Sequence, residues 1–322
     1  MTMTLAEIRL KQNPILTSLL LGMGQGTYMA ESLFPRLPSA LSGVTLAKLG
    51  KERLRRYNLR RSPGGPTKRV NIKFEGKVYS VDQYSVDIPI PREVLREADE
   101  SKKLNVGNYL EISQIAMTTA NDILGLDYEI ECAELATDPT TYAPGHSLAL
   151  AGPAKWSAET GTTVDDIFTA KDIVRKKIGK RPNSLRFSAD GYTAARNNKQ
   201  VLSRLPSTFT GAPGIAELKN IFEVDDIQVG DAVWVDETDQ GLDVWGNSAI
   251  LAYVPKIGGS GAKSVSLAEP AFGFTNVIEG HPFAETPYYT QDGTKSWIYG
   301  ATYERRPNVA YPDAGFLFQN PK

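Results

Sequence analysis

Two histidines, His146 and His281, and one cysteine, Cys132, are the side chains of this 322-residue sequence best suited to act as base or nucleophile near neutral pH. Both histidines sit in turn contexts, Pro-Gly-His and Gly-His-Pro, and neither stands at a motif spacing from Cys132. Structural roles are expected for both. Three His and Cys ligands fall short of any standard zinc set, and a lone cysteine forms no internal disulfide, so a reducing compartment is expected. Cys132 reads as a small buried hydrophobe. The Gly22-Met23-Gly24-Gln25-Gly26 cluster follows no clear strand and reads as a flexible turn, not a dinucleotide loop. No Gly-Lys-Ser/Thr stands at the Walker spacing. Asp236, Glu237, Asp239 and Asp243 could hold a hard cation, but they lack the calcium-loop pattern and read as a solvated loop. A carboxylate pair for glycoside hydrolysis is a matter of three-dimensional separation, so a soluble carbohydrate-active enzyme stays open as an alternative. No catalytic, cofactor-binding or metal-ligating residue is assigned, and a non-enzymatic protein is expected.

Charge is the stronger signal. The chain carries 36 Lys and Arg against 37 Asp and Glu, yet Lys48 to Lys77 holds eleven basic residues against Glu52 and Glu75. Acidic stretches at Glu93–Glu134 and Glu217–Asp243 balance it, the second with nine carboxylates facing only Lys219. A basic run can neutralise phosphates, although Tyr57 is its only aromatic residue before Phe74. It can also be a solvated hairpin, or it can lie on the acidic surface of another copy, which reconciles it with a near-neutral chain.

The elements that must carry these charges follow from periodicity. Composition, with 41% apolar residues and no stretch of 18, predicts a globular chain of one or two domains and no membrane span. Ile15–Met23 behind Arg9 and Lys11 has some features of a signal peptide but no clean cleavage site, so secretion is not expected. Thr2–Ser42 reads as an arm whose Ile15, Leu16, Leu19, Leu20, Leu21 and Phe34 need a surface supplied by neighbours. Val70, Ile72 and Phe74 alternate with polar residues before a turn signal at Glu75-Gly76, and Tyr84, Val86 and Ile88 alternate again. These runs predict a long hairpin with its distal end at Arg60–Lys68, resting on another surface. Pro91 is expected to open a short helix, Arg92–Glu100. A long helix is predicted from Tyr109 to about Leu135, with Ile112, Ile115, Ala116, Thr119, Ala120, Ile123, Leu126 and Ile130 as its apolar stripe. Between Thr163 and Pro255 helices alternate with strands: helices at 164–178, 190–205 and 215–222, strands at 185–187, 227–229, 232–235 and 249–254. That is an α/β lobe. From Ser266 the chain is extended and should pair with sheets begun earlier.

Several strings, taken in order, resemble the major capsid proteins of tailed bacteriophages. They are Leu126-Asp127-Tyr128-Glu129-Ile130, Trp156-Ser157, Gly179-Lys180-Arg181-Pro182-Asn183-Ser184-Leu185, Val244-Trp245-Gly246, Leu251-Ala252-Tyr253-Val254-Pro255, Pro270-Ala271-Phe272-Gly273-Phe274 and Gly315-Phe316-Leu317-Phe318. The resemblance implies an α+β fold of the Hong Kong ninety-seven type. Its parts would be an amino-terminal arm (1–43), an extended β-hairpin loop (44–88), a peripheral domain with a long spine helix (89–162), an axial α/β domain (163–260) and return strands of the peripheral domain (261–322). It implies self-assembly as hexamers and pentamers into an icosahedral phage head around double-stranded DNA, in the virion after assembly in the bacterial host cytoplasm. No cofactor is implied. Only the arm precedes the hairpin, so a separate scaffolding protein is expected. A portal protein, a decoration or cement protein and packaged DNA, bound non-specifically, are the other expected partners. Arg55, Arg56, Arg60, Arg61, Lys68 and Arg69 are expected to make the contact between subunits. An encapsulin-like compartment, with the same fold and a protein cargo, is the main alternative.

Overall fold

The computed structural model describes residues 28–49, 54–61, 63, 67, 69, 74–104, 112–206, 211–255, 269–290 and 295–322. The first elements are a short helix α1 (Ala30–Leu33), β1 (Arg36–Ser39), β2 (Gly43–Leu49), β3 (Phe74–Ser80), β4 (Asp82–Pro91), α2 (Arg92–Leu104) and the spine helix α3 (Ile112–Thr137). Next come β5 (Ser147–Ala149), α4 (Thr163–Ile178), β6 (Ser184–Ser188), α5 (Ala189–Arg196), α6 (Lys199–Ser203), α7 (Ile215–Phe222), β7 (Asp226–Gly230), β8 (Val233–Val235), β9 (Gly241–Asp243) and β10 (Ser248–Ala252). The chain closes with β11 (Gly273–Ile278), β12 (Phe283–Ala284), β13 (Tyr288–Tyr289), β14 (Ser296–Val309) and β15 (Gly315–Gln319). Among the described residues no helix is long and apolar enough to cross a membrane.

A six-stranded sheet is organised around β14. Along one edge β4 pairs antiparallel with it from Pro91 opposite Ser296 to Asp82 opposite Arg305. On its other edge β11, β12 and β13 follow one another, and β1 adds in parallel to β11. The alternating residues near 84–88 and those after 270 therefore meet in one sheet. The spine helix lies across β4 and β14. Ala116, Met117, Ala120 and Leu124 fill the space over Ile90, Tyr299, Ala301 and Tyr303.

A five-stranded sheet, in the order β5-β15-β10-β6-β7, forms the second layer system. Parallel β6 and β7 need a crossover, which α5, α6 and α7 supply. Every residue of β6 and of β10 is buried, as expected for strands covered on both faces. Helix α4 packs here through Val164, Ile167, Ala170 and Val174. Asp165 and Asp166 lie in its first turn and Arg175, Lys176 and Lys177 in its last, so both ends complement the helix dipole. It stops at Gly179, whose φ of 76° is the left-handed conformation glycine adopts without a Cβ clash.

Several expectations change. Glu75-Gly76 lies inside β3, opposite Lys48 and Ala47, because β2 supplies those backbone partners and no reversal is needed. Pro91 ends β4, where a missing N–H costs little, and the helix after it runs on to Leu104. The 190–205 helix is broken at Asn197-Asn198: the Asn198 side chain caps α6 through the Gln200 N–H and donates to the carbonyls of Trp156 and Gly161. Return strands β11–β14 join the six-stranded sheet, whereas β15 lies between β5 and β10 in the five-stranded one. Phe34 needs no neighbour, since it is fully buried against Phe272 of the same chain. The stripe read on the spine helix is rotated: its buried face is Ala116, Met117, Ala120, Leu124, Tyr128 and Cys132, while Ile115 and Ile123 face outward. Ala116 and Ala120 let the helix axis approach the sheet, and Ile112 packs at its amino-terminal end.

Candidate assembly interface

Antiparallel β2 and β3 form a two-stranded sheet, and the chain between them carries the basic cluster. Arg55, Arg56, Arg60, Arg61 and Arg69 are all exposed. Lys68 lies outside the described residues, as does most of the arm, residues 1–27. Local bonds shape the segment: the Arg60 N–H donates to Asn58 Oδ1 at 3.2 Å, and Arg61 Nη1 donates to Thr67 Oγ1 at 3.2 Å. Leu54 lies over the Cα of Gly179, just past the carboxyl end of α4. At the base of the hairpin Tyr79 is buried edge-on against Phe274, with ring centroids 5.2 Å apart.

The acidic run divides by task. Glu217 accepts from the Gly214 N–H at the start of α7. Asp226 meets buried Arg186 at 2.8 Å and Lys219 at 3.2 Å, and these cations outweigh burial and hold its carboxyl below the usual range. Asp236 closes the β8–β9 turn by accepting from the Thr238 and Gln240 N–H groups. Asp231, Glu237, Asp239 and Asp243 are left at the surface of this small hairpin, together with exposed Val233, Trp234, Val235 and Leu242. Among the described residues no group of three or more His, Cys, Asp or Glu is placed to hold a metal ion.

Three buried charges, unmarked by sequence reasoning, join the parts that must move as one body. Glu129 of the spine helix accepts from the N–H groups of Met29 and Ala30, both at 2.9 Å, and from Trp245 Nε1. Burial pushes its carboxyl up, against the pull of these donors. Arg305 of β14 is fully buried, reaches Asp127 at 2.7 Å and also pairs with Glu131. Its guanidinium lies 4.1 Å from the ring centroid of Tyr84 and 4.8 Å from that of Tyr128. Arg186 of β6 donates to the Ser32 carbonyl, tying the five-stranded sheet to α1. Glu129 and Trp245 do fall inside the capsid-like strings, which was the one signal that could have found them.

His146 and His281 take structural positions. His146 is buried with Nδ1 2.9 Å from the Gly315 carbonyl. His281 Nδ1 accepts from the Glu304 N–H at 3.0 Å, and burial lowers its pKa to about 4. Cys132 is fully buried, and burial pushes its thiol well up, away from nucleophilic use.

No family model matches the chain. A major capsid protein of Burkholderia phage BcepMu is 31% identical over 306 residues, covering 95% of each chain. The chain belongs to the phage major capsid protein family. A crystal structure of a phage-related protein from Bordetella bronchiseptica is 34% identical, covers 96% of this chain and 97% of its own, and superposes with a TM-score of 0.74. The capsid structure of Cyanophage P-SCSP1u shares the fold at a TM-score of 0.55 and 14% identity, covering 92% of this chain and 89% of its own. The fold is of the Hong Kong ninety-seven type, and this capsid protein is a self-associating shell component of the phage head.

Proposed function

We propose that this capsid protein closes as hexamers and pentamers into an icosahedral head around double-stranded DNA, with the basic segment of each copy laid on an acidic surface of the next. The likeness to a major capsid protein along 95% of the chain carries the reading. Exposure of the arginines supports the contact, since a cluster of like charge gains most from a partner of opposite sign. In the assembly Arg55, Arg56, Arg60, Arg61, Lys68 and Arg69 meet carboxylates of a neighbour. Asp231, Glu237, Asp239 and Asp243 on the β8–β9 hairpin, and Asp122 and Glu134 on the spine helix, are exposed acceptors. Carboxylates on β8–β9 repel phosphate, so that hairpin faces the capsomer centre or the outer surface rather than DNA.

The functional units are the arm 1–43, the hairpin loop 44–88, the peripheral parts 89–162 and 261–322, and the axial part 163–260. A scaffolding protein, a portal and a decoration or cement protein act beside it, and packaged DNA touches the shell non-specifically. Assembly takes place in the bacterial host cytoplasm, and the protein performs no catalysis. Each exposed ion pair contributes only ~0–1 kcal/mol, so single charge reversals should be tolerated. Reversing Arg60, Arg61, Lys68 and Arg69 together to Glu should abolish shells in electron micrographs while the subunit still folds. Normal shells that package less DNA would transfer the cluster to nucleic-acid binding. Shells that form with a protein cargo and no DNA would favour the encapsulin-like alternative.

A further inference from the structure

Two exposed surfaces of this chain complement each other. Among the described residues the β8–β9 ribbon pairs with no further strand, and every residue of both strands is exposed. Trp234 and Leu242 stand directly opposite one another on one face, 37% and 42% exposed. A two-stranded ribbon with open faces is marginal in water, so this face needs a cover. Asp231, Glu237, Asp239 and Asp243 of the same hairpin are exposed too, and no Lys or Arg lies between Lys219 and Lys256. A fitting cover therefore brings an apolar group together with positive charge.

The basic segment has that composition. Leu54 at its start is seated over the Cα of Gly179, whereas Leu59 is 70% exposed, with exposed Arg55 and Arg56 before it and exposed Arg60 and Arg61 after it. A lone exposed leucine is ordinary on a protein surface. Set among four arginines, it lets one short stretch supply both the apolar contact and the charge. The other acidic surface, on the spine helix, offers less. Asp127 and Glu131 there are paired with Arg305, and exposed Asp122 and Glu134 stand twelve residues apart, about 18 Å along the axis. The four carboxylates within residues 231–243 make the denser target, and they come with a tryptophan. Trp and Arg are among the side chains that most often anchor an interface.

We propose that Leu59 of one copy seats on the Trp234–Leu242 face of the next copy's β8–β9 hairpin, with the flanking arginines on that hairpin's carboxylates. The inference rests on the reading that the basic segment binds a neighbouring copy, and it names the surface. A Leu59→Cys and Leu242→Cys pair tests it in assembled shells of the full chain, because native Cys132 is fully buried and does not compete. Mild oxidation should link most subunits into species of dimer mass and above on a denaturing gel. A Leu59→Cys and Ile123→Cys pair, aimed at the spine helix, should stay at background. In a second measurement, the variant with Arg60, Arg61, Lys68 and Arg69 reversed to Glu also receives Asp231→Lys, Glu237→Lys, Asp239→Lys and Asp243→Lys. These four carboxylates are at the surface, so the fold persists. Shells lost through the first set should return with the second, since the charges across the contact are opposite again. Cross-linking no better than the control, cross-links only within one chain, or no return of shells in the exchanged variant would each overturn the assignment to β8–β9 while leaving the neighbouring-copy reading in place. Shells formed by the fourfold Glu variant alone would overturn that reading and the assignment with it.

Discussion

The indole Nε1 of Trp245 donates to Glu129 Oε1 at 2.6 Å, and both side chains are fully buried. The same carboxylate receives the backbone of Met29 and Ala30, so three segments distant in sequence end on one group. Glu129→Ala leaves three buried donors without an acceptor. Each such orphan costs ~1–3 kcal/mol, and allowing for relaxation a total of about 3–5 kcal/mol is expected in urea unfolding. Glu129→Gln keeps one acceptor oxygen and should lose about half of that.

Arg305 is the second keystone. Replacing it by Ala or Met removes a buried guanidinium from between Tyr84 and Tyr128, while Asp127 and Glu131, both part-exposed, can turn to water, so a loss of about 1–3 kcal/mol is expected. Arg305→Lys should recover little, because an ammonium ion neither forks between two carboxylates nor stacks flat on the rings. Calorimetry of the three variants should rank them wild type, then Lys, then Ala and Met.

Acid should weaken the subunit through His281. Its folded pKa is lowered from 6.5 to about 4 by burial, and its Nδ1 accepts a backbone N–H, which requires the neutral ring. The unfolded chain therefore binds this proton first as pH falls. The contribution is fully present above about pH 6.5, is lost between 6.5 and about 4, and is flat below that, amounting to at most ~3 kcal/mol. Unfolding free energies of wild type and His281→Asn, measured from pH 7 to pH 4, should converge by that amount.

Gly273 and Gly43 give a matched pair. A Cβ on Gly273 would stand 2.3 Å from the Phe34 ring and 2.9 Å from the Asn308 carbonyl, so Gly273→Ala should cost about 1–3 kcal/mol. A Cβ on Gly43 meets nothing within 4 Å, and Gly43→Ala should be neutral or slightly stabilising. Thermal melts separate the two outcomes.

Local signals in the sequence were strong where one strand or helix decides its own burial. The β6 and β10 strands, the stop of α4 at Gly179 and the exposed basic cluster were all readable this way. Periodicity on the spine helix places Ala116 and Ala120 on the buried side, as the structure does, but it also weighs Ile115 and Ile123 inward, whereas the sheet takes Met117, Leu124 and Tyr128 beside the alanines. Glu129, Arg186 and Arg305 looked like ordinary surface charges, since what makes them structural is a partner 40 to 180 residues away. In the proposed assembly the partner of the basic cluster belongs to another copy, which no periodicity within one chain reports.

The pairing of β4 with β14 has a mechanical corollary. Ten consecutive residue pairs lie side by side, so a pull along the strand axis loads their hydrogen bonds together in shear instead of opening them one at a time like a zipper. A subunit tugged from its rim along that axis should stretch very little until the whole ladder fails at once, with the lateral tension of a filled container borne by the backbone rather than by side-chain packing.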